Sequence, residues 1–394
     1  MGYHESFTLY PRKTKKGKIV YYYRLYGEDG KRASGKSTGQ TTKTAARAYV
    51  TELIKNGQLN LTKKDITFEK FAENWWLWDK CEYLKRQKAK GKQISQSYAS
   101  ICRGYLKNHI LPYFKDYRLS KIKTSTIEKW LMELYEDSER DLSPTTINHC
   151  LTTLKIMLKE ATWLDYITKN PAEDISQFKE KPKEKSVLTL EEVRTLLDEN
   201  TIDTVWDNDI MFYTINLLAA STGMRMGEVQ ALKVKNVHED FVVIQYAWTR
   251  KYGLKEEPKW KSFRAIPIPS KTSEYLQKVI AYNNYSEPED FVFHGSKREK
   301  PIDHKKILHK LYDALHRINI DENKRKDRNI CFHSWRYFFN TVMRNKIPDF
   351  KLQKLTGHKT EAMTDHGVGQ RYHVLHHKSS CCFNRYAYGG GPSA

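Results

Sequence analysis

The spacing of apolar residues divides the chain into segments of different character. In the first 64 residues the apolar positions form short runs typical of β-strands, such as residues 19–23, and Asp29-Gly30 after that run favours a hairpin. Residues 42–54 have the spacing of a single helix. This first segment is therefore predicted to fold as a small β-sheet with one helix.

Residues 66–178 have a helical pattern. Ser143 followed by Pro144 is a strong helix start, because the serine hydroxyl accepts a backbone N–H bond and proline needs no partner at the first helical position. The helix that follows has one apolar face, which we interpret as core. Its residues are Ile147, Cys150, Leu151, Leu154, Met157, Leu158 and Ala161.

A polar and charged segment at 176–185 is predicted to be a linker to a further domain. Beyond it, Thr189 and Glu192 form a capping-box signal, and residues 210–220 form a nearly continuous apolar helix. Residues 241–246 and 264–268 have strand character and flank a turn. We predict an α+β chain in three parts: a small N-terminal sheet plus helix, a helical middle, and a mainly helical C-terminal part with a small antiparallel sheet.

Charge points to the kind of partner. The 394 residues include 68 Lys and Arg against 47 Asp and Glu, which gives a net charge of +21. Such an excess favours a polyanion, most simply nucleic acid, over the alternative of a charged but unspecialised surface. Basic residues at 12–18 and 85–92 are the first candidates for phosphate contacts, although such runs are often solvated faces.

Other classes of protein are disfavoured. No stretch reaches the roughly 18 consecutive apolar residues that a membrane-spanning helix needs, and the N-terminus lacks a signal-peptide pattern, so we expect a cytoplasmic protein without membrane association. The six cysteines lie at positions 81, 102, 150, 331, 381 and 382 and form no CxxC pair. Neither a disulfide framework nor a zinc finger is indicated.

Four short segments in the last 170 residues offer cations and hydrogen-bond donors to a phosphate: 222–228, 258–264, 333–336 and 355–359. Phosphoryl transfer needs mainly positioning and charge stabilisation, so two Arg, one Lys and two His suit a site without metal or cofactor. Each motif is weak alone, since Arg225 also fits an inter-helix salt bridge and Lys259 a solvated turn. His333 and Arg336, three residues apart, are predicted to share one helix face.

Together, the order and spacing of these segments resemble the catalytic domain of the tyrosine recombinases, the phage and transposon integrases. The resemblance implies that Arg225 and Arg336 clamp the phosphate and that Glu228 supports them. It implies that Lys259 protonates the leaving 5′ oxygen, with Lys261 close enough to be confused with it. His333 then transfers a proton or binds the phosphate, and His358 donates a hydrogen bond to it.

The same resemblance gives the domains their roles. It implies an arm-type DNA-binding domain at 1–64, a helical, SAM-like core-binding domain at 66–178, a catalytic domain at 186–366 and an atypical tail at 367–394. The partners it implies are duplex attachment sites, a homotetramer on paired sites and a directionality factor. The function it implies is site-specific DNA recombination, in which strands are cut and rejoined through a 3′-phosphotyrosine.

The nucleophile departs from the family pattern. The family tyrosine lies nine residues after the histidine of the Gly-His pair, and that position here is Gly367. The nearest tyrosine is Tyr372, a candidate by elimination. Three explanations stay open: Tyr372 is delivered by a looped segment, the chain is a non-catalytic DNA-binding remnant, or a frameshift replaced the tail after His366. A metal-dependent nuclease is a more distant alternative.

Overall fold

A computed structural model describes residues 7–14, 17–25, 34–55, 65–180, 187–256, 263–344 and 346–357. The chain divides into two compact units, Met1–Lys181 and Pro182–Ala394, each with its own apolar core. The boundary falls inside the polar segment predicted to be a linker.

The first unit begins with a three-stranded antiparallel sheet in the order β1-β2-β3. Its strands are β1 (Phe7–Lys13), β2 (Ile19–Leu25) and β3 (Lys36–Ser37), and helix α1 (Lys43–Lys55) follows. Phe7, Tyr23 and Val50 are buried together, so α1 packs on one face of the sheet. The predicted sheet and helix are confirmed, whereas Asp29-Gly30 lies outside the described residues.

The rest of the first unit is helical, as the sequence predicts. Its helices are α2 (Phe68–Ala72), α3 (Glu82–Ala89), α4 (Gln96–Tyr105), a π-helical turn (Leu106–Ile110), α5 (Leu111–Phe114), a 3₁₀ turn (Leu119–Lys121), α6 (Thr124–Glu136) and α7 (Pro144–Trp163). Ser143 caps α7 by accepting the backbone N–H of Thr146 at 3.3 Å. The predicted apolar face of α7 is buried in the core of this unit.

The basic run at 85–92 has more internal partners than the sequence suggests. Arg86 on α3 forms an ion pair with Glu160, which is 9% exposed, and its guanidinium lies 4.3 Å from the centre of the Trp163 ring. Lys85 pairs with Glu82 at 2.8 Å. Arg86 is therefore part of the packing between α3 and α7, and it does not belong with the solvated cations of the run.

The second unit is mainly helical. Its helices are α8 (Leu190–Leu196), a 3₁₀ turn (Glu199–Thr201), α9 (Ile202–Trp206), α10 (Ile210–Thr222), α11 (Met226–Gln230), a 3₁₀ turn (Val234–Asn236), α12 (Ser270–Tyr282), α13 (His304–Arg317), α14 (Glu322–Asp327), α15 (Ser334–Arg344) and α16 (Asp349–Thr356). Its strands are β4 (Phe241–Ile244), β5 (Ala247–Thr249), β6 (Gly253–Lys255) and β7 (Arg264–Pro267).

Helix α10 is the centre of this unit. Apart from its first two residues it is buried, and it packs against α12, α13 and α15. One polar pair in this core joins α15 to α10: the indole N–H of Trp335 donates to the amide oxygen of Asn216 at 2.8 Å. The capping box of α8 is present, with Glu192 accepting the backbone N–H of Thr189 at 2.7 Å. An apolar helix without a polar face thus becomes the core, as its sequence predicts.

Two small antiparallel sheets lie between α11 and α12. Strands β4 and β7 pair with Phe241 opposite Pro267 and Ile244 opposite Arg264. A separate hairpin pairs β5 with β6, with Thr249 opposite Gly253. Sequence analysis predicted only the first pair, because β5 and β6 have three residues each and no clear alternation.

Within the described ranges, none of the helices is long and apolar enough to span a membrane.

We predict that Arg86→Ala lowers the free energy of unfolding by about 1–3 kcal/mol, because it leaves the largely buried Glu160 carboxylate without its cation. Urea unfolding followed by tryptophan fluorescence measures this. Lys85→Ala on the same helix is the control, and it should leave the free energy of unfolding nearly unchanged since its ion pair is exposed. Equal effects of both changes would show that Arg86 is only a surface cation.

Candidate active site

Helix α10 ends at Gly223, which has a left-handed backbone with φ of +64°. A Cβ at this position would lie 2.7 Å from Cδ1 of Phe339, so both the conformation and the space require glycine. The chain then turns through the buried Met224 and starts α11. This turn places Arg225 at the N-cap of α11 with its side chain 28% exposed.

Glu228 organises the turn around Arg225. Its carboxylate accepts the backbone N–H of Arg225 at 3.0 Å and the guanidinium Nη1 of the same residue at 2.9 Å. Glu228 itself is only 3% exposed. The carboxylate thus fixes both the backbone and the side chain of Arg225, which agrees with the supporting role that the resemblance implied.

A third arginine completes this cluster, and the sequence analysis assigned it no role. Arg264, the first residue of β7, donates from Nη2 to Glu228 Oε2 at 2.8 Å and from Nε to the carbonyl oxygen of Leu355 at 2.7 Å. It is a buried side chain that joins β7 to both α11 and α16. The sequence signal for Arg264 is its place two residues before the pair Ile266-Pro267, but that pattern predicts only a strand.

Arg336 on α15 is also buried, being 2% exposed. Its guanidinium donates from Nη1 to the carbonyl oxygen of Gly223 at 2.8 Å and from Nη2 to the carbonyl oxygen of Thr356. One cation therefore binds the C-terminal ends of α10 and α16, where the helix dipoles favour positive charge. Arg336 holds together the two segments that precede Arg225 and His358.

His333 directly precedes the helix that contains Arg336, and the shared helix face of the two residues stays a prediction. Helix α15 begins at Ser334, and the carbonyl oxygen of His333 accepts the backbone N–H of Arg336 at 3.0 Å. The His333 side chain is exposed, with its ring edge-on to Tyr337 at 4.8 Å between centres.

The remaining predicted residues lie outside the described residues. Lys259 and Lys261 fall in 257–262, and His358, Gly367 and Tyr372 fall in 358–394. The described chain stops at Gly357, which ends α16 in a left-handed conformation with φ of +66°. The structure thus brings together Arg225, Arg336 and Glu228, and adds Arg264.

The electrostatics of the cluster favour an anion. Burial alone would raise the pKa of the Glu228 carboxyl, but the charges of Arg264 and Arg225 and their hydrogen bonds outweigh it and hold that pKa below its ordinary value. Burial, with the charges of Arg225 and Arg264, lowers the pKa of Arg336 to about 9, so its guanidinium stays protonated at neutral pH. Three arginines and one carboxylate leave the cluster with a net positive charge, which an anion such as a phosphate would neutralise.

The sequence matches the phage integrase family over residues 186–370 and the SAM-like N-terminal domain of phage integrases over residues 67–135. The chain belongs to the tyrosine recombinases. Both matched segments together span more than half of it, and Arg225, Arg264 and Arg336 all lie in the first. No curated protein matched the sequence.

Solved structures of other integrases have the same fold. The Tn1549 transposon integrase in complex with transposon right end DNA aligns with a TM-score of 0.60 at 19% identity, covering 81% of this chain and 98% of that one. A lambda integrase tetramer bound to a Holliday junction aligns with a TM-score of 0.56 at 18% identity, covering 94% and 97%. At such identities the likeness concerns the fold, and the predicted α+β class is confirmed.

We predict that Glu228→Gln destabilises this recombinase at neutral pH by on the order of 3 kcal/mol, because the arginines lose their buried counter-charge. The pKa of Glu228 is lowered in the folded state, so its contribution is complete above the unfolded value of about 4.3 and is lost as the pH falls through the folded value. The difference between the parent and Glu228→Gln should therefore shrink below about pH 4.

Urea unfolding at several pH values between 3 and 7 measures that difference. Glu299→Gln removes an exposed carboxylate and should stay within about 0.5 kcal/mol of the parent. A constant difference for Glu228→Gln across the whole range would contradict an ionised, arginine-paired carboxylate.

Proposed function

We propose that this chain binds duplex DNA at specific attachment sites and that the cluster of Arg225, Arg264 and Arg336 receives the scissile phosphate. The observation that carries this proposal is the arginine cluster itself, whose single carboxylate is nearly buried beneath the one arginine that reaches the surface. A phosphate is the anion that a family of DNA recombinases would bring to such a surface.

Each arginine has a different part in the proposed chemistry. Arg225, partly exposed and held by Glu228, presents its guanidinium to the equatorial oxygens of the phosphate. Arg336 acts from beneath, through its charge and by holding the ends of α10 and α16 in place. Arg264 keeps Glu228 ionised and fixes β7 against α16. Such preorganised cations stabilise a transition state without moving during the reaction.

The proposed reaction conserves the energy of the phosphodiester. A tyrosine oxygen forms a bond to phosphorus, the bond from phosphorus to the 5′ oxygen breaks, and the leaving oxygen takes a proton. We assign that proton to Lys259, with His333 and His358 as further groups near the phosphate. The reverse attack by a 5′ hydroxyl rejoins the strand, so neither ATP nor a metal ion enters the scheme.

The nucleophile limits this activity in the chain as written. The residue nine positions after His358 is Gly367, which has no side chain to attack phosphorus. Tyr372 lies five residues later and beyond the family match, which ends at residue 370. Because attack requires the oxygen about 3 Å from phosphorus and in line with the leaving group, we propose that the chain cuts DNA weakly or not at all.

A second candidate function follows from the same glycine. A protein that keeps the DNA-binding domains and the arginine cluster but lacks a positioned nucleophile would occupy attachment sites without cutting them. We further propose that four copies assemble on two sites, a proposal supported by the similar lambda integrase structure, which is a tetramer bound to a Holliday junction. A directionality factor is a further proposed partner, on the family resemblance alone.

We predict that Arg225→Ala reduces strand cleavage by about 10²- to 10³-fold while DNA binding stays within about tenfold. Binding is shared among several domains, whereas transition-state charge at the phosphate is not. The measurement is formation of covalent protein–DNA adducts on a nicked suicide duplex, in whichever of the parent and Gly367→Tyr forms them. Lys297→Ala, an exposed cation in the same unit, serves as control. Undiminished adducts from Arg225→Ala would remove Arg225 from the site.

The nucleophile is tested by comparing the parent, Tyr372→Phe and Gly367→Tyr on the same duplex. We expect no adducts, or very few, from the parent and new adducts from Gly367→Tyr, since that change restores a hydroxyl at the family position. Adducts from the parent that disappear in Tyr372→Phe would contradict this proposal and assign Tyr372 as the nucleophile. Site binding without adducts from any variant would favour the non-catalytic DNA-binding function.

A further inference from the structure

The hairpin of β5 and β6 has no role in the scheme above, although it lies directly beside the arginine cluster. It packs on α11, the short helix whose N-cap is Arg225. The contact is backbone to backbone: a Cβ on Gly227 would lie 2.5 Å from the carbonyl oxygen of Trp248. Only glycine permits this approach. Strand β5 is therefore held against Gly227, which lies two residues after Arg225.

Side-chain contacts stabilise both the strands and the turn of the hairpin. The Trp248 ring packs edge-on against the buried Phe291 at 5.9 Å between centres. At the tip the hydroxyl of Thr249 accepts the backbone N–H of Tyr252 and donates to the carbonyl oxygen of Gly253, both at 3.3 Å. Gly253 has φ of +66°, which a three-residue hairpin loop requires. The tip is therefore a defined structure and not a loose loop.

The turn between β5 and β6, residues 250–252, forms the tip of the hairpin and exposes two cations. Arg250 and Lys251 are exposed, and the Lys251 ammonium lies 5.5 Å from the centre of the Tyr252 ring. Lys255 on β6 adds a third cation, and Glu256 after it is the only acid in 247–256. Arg250 is the first residue of the turn after β5, two residues beyond Trp248.

We propose that this tip enters the major groove beside the phosphate held at Arg225 and that Arg250 reads a guanine there; this rests on the proposed function. Phosphate contacts fix position but carry no sequence information, so a site-specific protein also needs side chains at base edges. A two-stranded ribbon fits the major groove, which is about 12 Å wide, and arginine pairs with both acceptors of guanine. Lys251, beside it, contributes a phosphate contact.

The alternative is a solvated hairpin whose cations attract DNA without reading it. Two observations favour base reading. The close contact at Gly227 couples the tip rigidly to Arg225, which a general electrostatic attraction does not need. The internal bonds of Thr249 fix the direction of the tip, and direct readout depends on such preorganisation.

The experiment uses the full chain and a pool of duplexes with a randomised central segment, selected by filter binding and sequenced. Parent, Arg250→Ala and Arg250→Gln are compared, with Arg194→Ala, an exposed arginine on α8, as matched control. We expect the parent to select a guanine that Arg250→Ala no longer prefers, a loss of about 10- to 100-fold in discrimination at that position alone. Arg250→Gln should select adenine there, since glutamine pairs with the adenine edge.

Lys251→Ala should weaken binding to all sequences alike and lower the salt dependence by about 0.9 in log–log slope. An unchanged selected sequence in Arg250→Ala and Arg250→Gln would overturn the base-reading role of Arg250 while the proposed function stands. A parent that selects no sequence at all would instead overturn site-specific binding itself, and this inference with it.

Discussion

The second unit depends on two buried charged groups, the carboxylate of Glu228 and the guanidinium of Arg336. Glu228 pairs with Arg225 and Arg264, and Arg336 binds the carbonyl ends of α10 and α16. Burying an unpaired charge costs several kcal/mol, so these groups are tolerated only because each finds its partners inside the cluster. The result is a rigid turn that exposes one arginine and hides the rest.

In this arrangement the charges of the proposed phosphate site are in place before DNA arrives. Repulsion between three guanidiniums opposes folding, and Glu228 together with two helix ends offsets it only in part. The excess positive charge reaches the surface at Arg225, whose side chain is partly exposed. Since the charges are already in place, binding an anion there requires little rearrangement, which is the condition for effective electrostatic stabilisation.

The family pattern has its tyrosine nine residues after the histidine of the Gly-His pair, and this chain has Gly367 at that position. The framework of the second unit does not depend on a tyrosine at position 367, because its core is formed by α10 and the helices packed on it. A chain can therefore keep its fold and its DNA-binding surfaces while losing the attacking group. Folding and catalysis make separate demands here, and only catalysis requires atoms to be placed within tenths of an ångström.

Local signals allowed much of the fold to be predicted. Ser143 and Pro144 start α7, and Thr189 and Glu192 start α8, because a cap and its partner lie within three residues of each other. The nearly continuous apolar composition of α10 predicted a buried helix. Strands β5 and β6 were not predicted because three residues are too few for a pattern, and β5 packs against Gly227, which is 21 residues before Trp248 in the chain.

By itself, then, the sequence determined the starts of α7 and α8, the α+β class and the order of the arginines and histidines that mark the family. The tertiary structure alone decided which arginines meet and how. Arg264 finds Leu355 across 91 residues, and Arg336 finds Gly223 across 113. Such partners leave no trace in local spacing, since a guanidinium in a strand or helix has the same pattern whether it faces water or a distant carbonyl. Only the fold shows that Arg336, predicted to clamp the phosphate, is buried and joins the ends of α10 and α16.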